Sequence, residues 1–152
     1  MRSLILEDAR DLYEIRKTSF EDLWTEKEFI SMLSDESFFG FRENCGFILC
    51  RKVLDSIDIV TFCVDPRYRG RGVGGNLLSE LIKFAKESKC EIFLEVAEKN
   101  YIARNLYTSF GFREISVRKN YYQLKNGAQD AVVMKYKNVH NQPQPEKPYS
   151  PE

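Results

Sequence analysis

A glycine-rich loop between an apolar run and a helical pattern constrains this chain more than any other feature. The run from Ile57 to Val64 stops at an Asp-Pro pair, and four of the eight glycines then fall within residues 70–75. Apolar residues at helical spacing follow directly and predict a helix over 73–88. Glycines let several backbone N–H groups point at one place, and a helix start adds unpaired N–H groups. The sequence therefore predicts a cradle for a phosphate or pyrophosphate.

Three arginines in the same loop, Arg67, Arg69 and Arg71, are expected to add full positive charges to the cradle. Over the whole chain, 23 Lys and Arg balance 23 Asp and Glu. A balanced charge argues against bulk nucleic-acid binding, so the arginines indicate one small anionic ligand. The loop alone leaves open that its glycines only form a turn.

Composition excludes several kinds of chemistry. The single histidine, His140, lies near the end of the sequence, so neither a Ser-His-Asp triad nor a histidine-based zinc site fits inside the domain. Four cysteines form no C-x-x-C pair, which indicates reduced thiols in a cytoplasmic protein. The first residues resemble neither a signal peptide nor a membrane span. We expect no metal, no membrane contact and a monomer.

The order of predicted elements indicates an α/β protein with a single mixed, mostly antiparallel sheet flanked by helices. The predicted strands are 3–6, 37–42, 45–53, 57–64, 91–96, 112–117 and 131–136. Four helices are predicted. The first is capped by Asp8 and turns Leu12, Ile15 and Phe20 inward, and the second opens with a Thr25–Glu28 capping box and turns Phe29, Ile30 and Leu33 inward. The third spans 73–88, and the fourth runs from Asn100 to Gly111.

The end of the sequence differs from the rest. Four of the five prolines lie at 143, 145, 148 and 151. Such a composition is typical of a solvated, disordered segment. The sequence therefore predicts one folded domain over residues 1–137 and a disordered tail over 138–152.

Two phosphate-binding patterns fit the loop. Gly70, Gly72 and Gly75 match G-x-G-x-x-G, but in a dinucleotide-binding fold the glycines directly follow the first strand, which they do not do here. The alternative pattern is R/Q-x-x-G-x-G/A, met by Arg69, Gly72 and Gly74 after Val-Asp-Pro. With this pattern the sequence resembles the GNAT family, the GCN5-related N-acetyltransferases, in which the loop holds the pyrophosphate of acetyl-CoA.

The resemblance continues beyond the loop, where the sequence is similar to the RimI branch of the family. Enzymes of this branch acetylate the N-terminal alanine of a small-subunit ribosomal protein. The matching segments are Phe93–Val96, Asn100 to Tyr107, Phe110–Phe112, Lys119–Tyr122, Asp130 to Met134 and, more loosely, Trp24 to Phe29. Leu23 stands where the branch has proline, Lys119 where it has arginine, and Gly75 where a larger residue is common. The first two departures lie in regions that would touch the acceptor, so they bear on the choice of acceptor more than on the chemistry.

The resemblance implies a GNAT-like acyl-CoA N-acyltransferase fold and a cofactor site for acetyl-CoA. Backbone groups of Phe62, Cys63 and Val64 would meet the pantetheine arm as an added strand would. The residues implied to hold the pyrophosphate are Gly70, Arg71, Gly72, Val73, Gly74 and Gly75. Asn100 would touch the arm or the acetyl end, although a helix cap alone explains its presence.

Strand alternation places Glu91 and Glu95 on one face of their strand, where solvated carboxylates and a catalytic base are both consistent with the pattern. The resemblance implies that Glu95 accepts the proton of the acceptor amine and that Tyr107 protonates the leaving thiolate. An α-amine with a pKa near 8 is about one-tenth neutral at pH 7, so a modest base suffices. Prior acetylation of Cys63 is disfavoured because no histidine is available to activate it.

The acceptor site is less defined by the sequence. Trp24 and Tyr122 are the candidate substrate-binding residues, and strand alternation indicates that at most one of Tyr121 and Tyr122 faces the groove. Acidic residues near the strand ends fit either ordinary solvated charge or contact with a basic peptide, and these are Asp35, Glu36, Asp55 and Asp58. We therefore expect a cytoplasmic N-terminal acetyltransferase acting on a ribosomal protein. A lysine or small-amine acetyltransferase and a non-catalytic acyl-CoA-binding module remain the alternatives.

Overall fold

The computed structural model describes residues 1–22, 24–124 and 127–137, without the side chains of residues 123 and 124. Its strands form one seven-stranded sheet in the order β1-β2-β3-β4-β5-β7-β6. All neighbouring strands are antiparallel except β4 and β5, which are parallel. The predicted tail, residues 138–152, lies outside the described residues. The mixed, mostly antiparallel sheet expected from the sequence is confirmed.

The bounds from β2 to α4 are close to those predicted, whereas the last two strands, predicted as 112–117 and 131–136, are much longer than expected. The strands are β1 Arg2–Ser3, β2 Phe38–Glu43, β3 Gly46–Val53, β4 Ser56–Val64, β5 Glu91–Ala97, β6 Arg113–Leu124 and β7 Gly127–Tyr136. The helices are α1 Ala9–Lys17, α2 Glu26–Ser34, α3 Val73–Ser88 and α4 Tyr101–Ser109. Each helix described is too short or too polar to cross a membrane.

Helices cover both faces of the sheet. On one face, α3 packs its buried leucines against alternate residues of β3 and β5, including Ile48 and Ile92. On the other face, α1 and α2 pack on the intervening residues, including Phe47 and Leu49. Because the side chains of β3 are buried on both faces of the sheet, this strand is a continuous apolar run rather than an alternating one.

A gap between β4 and β5 determines where a ligand can enter the sheet. Their parallel pairing spans Ser56–Glu91 to Asp58–Phe93 and ends there. Beyond this point β4 continues to Val64 on the β3 side only, while β5 continues along β7. The two strands thus diverge and leave backbone groups of β4 facing an opening, which we call the β4–β5 opening.

Several predictions for the first forty residues are wrong. The first strand is Arg2–Ser3 rather than 3–6, and residues 6–8 form a 3-10 turn. Asp8 does not cap α1 with its side chain, because its carboxylate binds Arg2 and Arg42 at 2.6 and 2.9 Å. Phe20 lies beyond the end of α1 and is 39% exposed, and Ile30 is 42% exposed. The Thr25 capping box is confirmed.

Candidate active site

The loop between β4 and α3 has the shape expected of an anion cradle. Gly70 and Gly72 have φ angles of +77° and +81°, which L side chains rarely adopt. The carbonyl of Gly72 accepts a hydrogen bond from the N–H of Asn76 at 2.9 Å. The N–H groups of residues 73–75 belong to the first turn of α3, which has no preceding carbonyls to bond. They therefore point out of the helix end.

The space above the loop can accept a ligand. A Cβ built at Gly70 or Gly72 would meet no described atom within 4 Å. A Cβ at Gly74 would instead touch Phe62, Leu106 and Val64 at 3.6–3.9 Å, so the helix start lies close against the end of β4. An open cradle at the N-terminus of a 16-residue helix fits a pyrophosphate.

The three loop arginines, all expected to charge the cradle, differ in their partners. The guanidinium of Arg67 binds the Asp65 carboxylate at 2.8 Å, and this ion pair holds the pKa of Asp65 below its usual value. Arg69 donates to the Val64 carbonyl at 3.0 Å and to the Ser19 hydroxyl at 2.8 Å. Arg71, which stacks over Tyr68 at 5.4 Å, has no carboxylate partner among the described residues. Arg71 is the loop arginine that remains available to a phosphate.

Glu95 lies on the partly exposed face of β5, while Ile92, Leu94 and Val96 fill the core on the other face. Its side chain is 29% exposed, and one carboxylate oxygen accepts a hydrogen bond from Arg118 at 2.5 Å. A hydrogen bond with Glu95 raises the pKa of Tyr121. Burial and the nearby Glu95 carboxylate raise the pKa of Asp58. Glu95 is thus the centre of a polar cluster beside the opening.

Both adjacent tyrosines of β6 face this cluster, so the prediction that at most one does is wrong. The register between β6 and β7 shifts between Arg118 and Tyr122, and Asn120 has a φ of +54°. The resulting bulge breaks the alternation of side chains. The rings of Tyr121 and Tyr122 meet edge to face at 5.1 Å. Burial, followed by the Glu95 carboxylate, raises the pKa of Tyr122 to about 12.

Tyr107 approaches the opening from the α3–α4 side of the sheet. It is 7% exposed, and its ring packs against Phe62 of β4 and Phe112 at 6.1 and 5.6 Å. Burial, with smaller contributions from Cys50 and Tyr122, raises the pKa of Tyr107 well above its usual value. Its phenol therefore stays protonated over the physiological range and can act as a proton donor.

The other predicted residues are divided among the opening, a helix cap and the α1–α2 side. Phe62 and Val64 end β4 at the opening, and Cys63 points to the opposite core, where burial raises its thiol pKa to about 12. The Asn100 side chain caps α4 by accepting from the N–H of Ala103 at 3.2 Å. Trp24 packs on Phe29 at 5.7 Å.

The structure also shows the surroundings of two of the three residues that differ from the RimI pattern. Lys119 pairs with Asp130 at 3.4 Å, next to the bulge. A Cβ at Gly75 would meet the Phe110 ring at 3.4 Å, an ordinary contact, so glycine is not sterically required there. Leu23 lies outside the described residues.

The family model described as the acetyltransferase (GNAT) family matches residues 9–112. The chain belongs to this family. As a GNAT acetyltransferase it is similar, at 33% identity over 138 residues, to the [ribosomal protein bS18]-alanine N-acetyltransferase of Escherichia coli K12. That alignment covers 87% of this chain and 93% of the relative. The family resemblance stated for the sequence is therefore confirmed.

Solved structures agree with this assignment. The crystal structure of the ribosomal-protein-S18-alanine N-acetyltransferase of E. coli matches with a TM-score of 0.84 and 31% identity, covering 98% of this chain and 97% of that one. The Arabidopsis thaliana protein NAA60, solved in complex with acetyl-CoA, matches with a TM-score of 0.78 at 20% identity, covering 89% and 96%. The second match shows the fold alone. The expected GNAT fold is confirmed, and this chain is an acetyl-CoA-dependent N-acetyltransferase.

Sequence reasoning missed some residues of the site. Arg118, which donates to Glu95, was not singled out, because the cation directly before the Asn-Tyr-Tyr motif is Lys119, and Lys119 pairs with Asp130 instead. Tyr121 was set aside because alternation gave no reason to expect a bulge. Of the four acidic candidates, Asp58 is the one whose pKa responds to Glu95, whereas Asp35 binds Ser37 at 2.8 Å.

Proposed function

We propose that this acetyltransferase transfers the acetyl group of acetyl-CoA to the α-amine of a protein N-terminus, the N-terminal alanine of ribosomal protein bS18 being the best-supported acceptor. The observation that carries the proposal is the divergence of β4 and β5 next to the open glycine loop. Glu95 lies on β5 beyond this divergence, and Tyr107 packs on Phe62 of β4 from the α3–α4 side. Near full-length similarity to the E. coli enzyme of that name supports the acceptor.

The cofactor site follows from the opening and the loop. Acetyl-CoA supplies the acetyl group as a thioester. We assign its pyrophosphate to the N–H groups of Val73, Gly74 and Gly75 above the open loop at Gly70 and Gly72, with Arg71 as the nearby cation. Phe62 and Val64 would pair with the pantetheine arm at the opening, although the Val64 carbonyl also accepts from Arg69. Asn100 would lie near the acetyl end.

The chemistry divides between two protonation tasks. Glu95, directly or through a water molecule, accepts the proton that the α-amine loses as its nitrogen forms the new bond to the acetyl carbon. Tyr107 donates its proton to the sulfur as the carbon–sulfur bond breaks. The high pKa of Tyr107 keeps that proton available at neutral pH. Direct attack needs no acetylated enzyme, which agrees with the protonated, buried thiol of Cys63.

The acceptor would approach from the α1–α2 side. Tyr121 and Tyr122 lie next to Glu95 there, and we assign the peptide backbone to their rings. Trp24 is the further candidate on the α1–α2 side. A ribosomal acceptor implies that the enzyme acts in the cytoplasm, and we expect the monomer to suffice. Residues 1–137 would form the whole catalytic domain.

The test compares two decapeptides with the N-terminal sequence of bS18, one with a free α-amine and one N-blocked with an internal lysine. Acetyl transfer from acetyl-CoA is followed by mass spectrometry. The proposal predicts modification of the free peptide alone. Transfer to the blocked peptide would reassign the enzyme to lysine acetylation. Tight acetyl-CoA binding without transfer to either peptide would contradict the proposed acceptor.

A further inference from the structure

Arg16 is a buried cation whose contacts join three separate parts of the fold. Arg16 is only 6% exposed, although it lies in the last turn of α1. Nε donates to the Thr61 hydroxyl of β4 at 3.3 Å. Nη1 donates to the Asp22 carbonyl at 3.1 Å, and Nη2 to the Asp22 carboxylate at 3.1 and 3.3 Å. A charge buried to this degree requires such partners.

Aromatic rings flank the same guanidinium. The centre of the Arg16 guanidinium lies 4.4 Å from the ring centroid of Phe20 and 3.9 Å from that of Trp24. Planar stacking on aromatic rings, combined with directed N–H bonds, is specific to arginine. Arg16 thereby fixes the α1–α2 connection, which we define as residues 18–25, with Leu23 outside the described residues.

A second arginine ties the same connection to β4. Arg69 joins Ser19 to the Val64 carbonyl at 2.8 and 3.0 Å. Thr61, the partner of Arg16, and Val64 both lie in the part of β4 beyond its pairing with β5. The α1–α2 connection is therefore held along the strand segment that borders the β4–β5 opening.

Asp22, the partner of Arg16 in the connection, remains open to solvent. The Asp22 side chain is 62% exposed, and its charge makes the smallest contribution to the raised pKa of Tyr122. Tyr122 is also electrostatically coupled to Glu95. Arg16 thus holds Asp22 and the connection against the part of β4 that borders the opening.

We propose that Arg16 is a positioning residue for the acceptor peptide, holding the α1–α2 connection as the wall of the acceptor groove opposite Tyr122. The inference rests on the proposed function and deepens it by naming the device that shapes the acceptor site. Arg16 touches neither substrate. Its loss should weaken acceptor binding more than acetyl-CoA binding.

The test uses Arg16→Met, Arg16→Lys and a control, Arg10→Met, on the same helix. Arg10 is 71% exposed and its ion pair with Glu26 is 3.5 Å long, so its loss should change little. For Arg16→Met we expect the peptide KM to rise about tenfold or more, with the acetyl-CoA KM changed by less than about twofold. Lysine keeps the charge but not the planar stacking, so Arg16→Lys should resemble the methionine variant.

Trp24 provides an independent readout because it is the only tryptophan of the chain. Removing the guanidinium that stacks on its ring should shift the emission of Arg16→Met and Arg16→Lys to longer wavelength, whereas Arg10→Met should emit as the wild type does. A purely structural role would lower the melting temperature and leave both KM values of the folded enzyme unchanged. That result would overturn the inference.

Asp22→Asn covers the case in which Arg16→Met does not fold. Its exposed side chain tolerates the change, and the weaker bond to Arg16 should still raise the peptide KM. An unchanged peptide KM in Asp22→Asn would then overturn the inference. Activity of the wild type towards the free peptide separates the two proposals. If the wild type does not acetylate this peptide, both the proposed function and the role of Arg16 are wrong. If the wild type is active and the variants are unaffected, only the role of Arg16 is wrong.

Discussion

The guanidinium of Arg118 lies 2.5 Å from the carboxylate of Glu95, at the edge of the β4–β5 opening. The candidate base is thus paired with a cation before an acceptor arrives. An α-ammonium group carries the same charge and would meet the same carboxylate. An acceptor amine would therefore meet a carboxylate whose charge Arg118 already balances.

Glu95→Gln should lower kcat for the free peptide by about 10²- to 10⁴-fold, because the amide cannot accept the proton. Glu91→Gln is the matched control. Glu91 shares the same face of β5 but pairs with Lys135 at 3.2 Å, away from the opening. Steady-state kinetics with a thiol-release assay measures both. Equal activity of the two variants would exclude Glu95 as the base.

Tyr107→Phe should lower kcat by about 10²-fold while leaving the acetyl-CoA KM nearly unchanged, because the proton donor is lost and the ring packing is kept. Tyr136→Phe is the control, since Tyr136 is also buried and packs on the same Phe112 ring at 5.5 Å. Because its pKa is raised, Tyr107 should cause no loss of rate between pH 7 and 9 in the wild type. A full rate in Tyr107→Phe would assign the proton to another donor.

Cys63→Ala should retain kcat within about twofold, because a thiol with a pKa of about 12 is ionised in only about one molecule in 10⁵ at pH 7. Mass spectrometry of the wild type incubated with acetyl-CoA alone should find no acetyl group on Cys63. An acetylated Cys63 that passes its acetyl group to the peptide would establish the ping-pong route instead.

Gly72→Ala should raise the KM for acetyl-CoA, because a φ of +81° costs an L residue about 1–2 kcal/mol and the loop would relax away from its open geometry. Gly127→Ala carries a similar strain, at a φ of +111°, in the β6–β7 hairpin. Both substitutions should lower the melting temperature, and the acetyl-CoA KM should rise in Gly72→Ala alone. A parallel rise in both variants would mean that strain, not the cradle, limits binding.

Asp8→Asn should destabilise the fold by about 1–3 kcal/mol at pH 7, because Arg2 and Arg42 lose their shared carboxylate. Burial opposes ionisation of Asp8, but its hydrogen bonds prevail and lower its pKa to about 2. A lowered pKa contributes stability above pH 4 that is lost as the pH falls towards 2. Chemical denaturation should therefore show the variant and wild type converging in acid, while exposed Asp11→Asn stays close to wild type at every pH.

The sequence predicted most of what is local. The leucine spacing that starts at Val73 placed α3 at the observed residues, and the amide of Asn100 caps α4 as its position before a helical pattern indicated. Both features depend on residues within a few positions of each other. The glycine loop was predictable for the same reason, since Gly72 needs only its own backbone angle.

Features that depend on distant residues were not predictable from the pattern. The bulge that turns both Tyr121 and Tyr122 to one side is held where the Asn120 N–H meets the Asp130 carboxylate at 2.8 Å, across a strand pair. The bond between Arg69 and Ser19 joins residues fifty positions apart. A charge count of the loop could not show that this arginine is already occupied.

Incubation of the intact small-subunit ribosomal protein bS18 with the enzyme and acetyl-CoA, followed by peptide mapping, is the most direct measurement. The proposed function predicts one acetyl group, on the α-amine of the N-terminal alanine, and none on lysine side chains. The same map with Glu95→Gln should show the unmodified N-terminus at equal reaction time. Acetylated lysines with a free N-terminus, or an unmodified protein in the presence of bound acetyl-CoA, would contradict it.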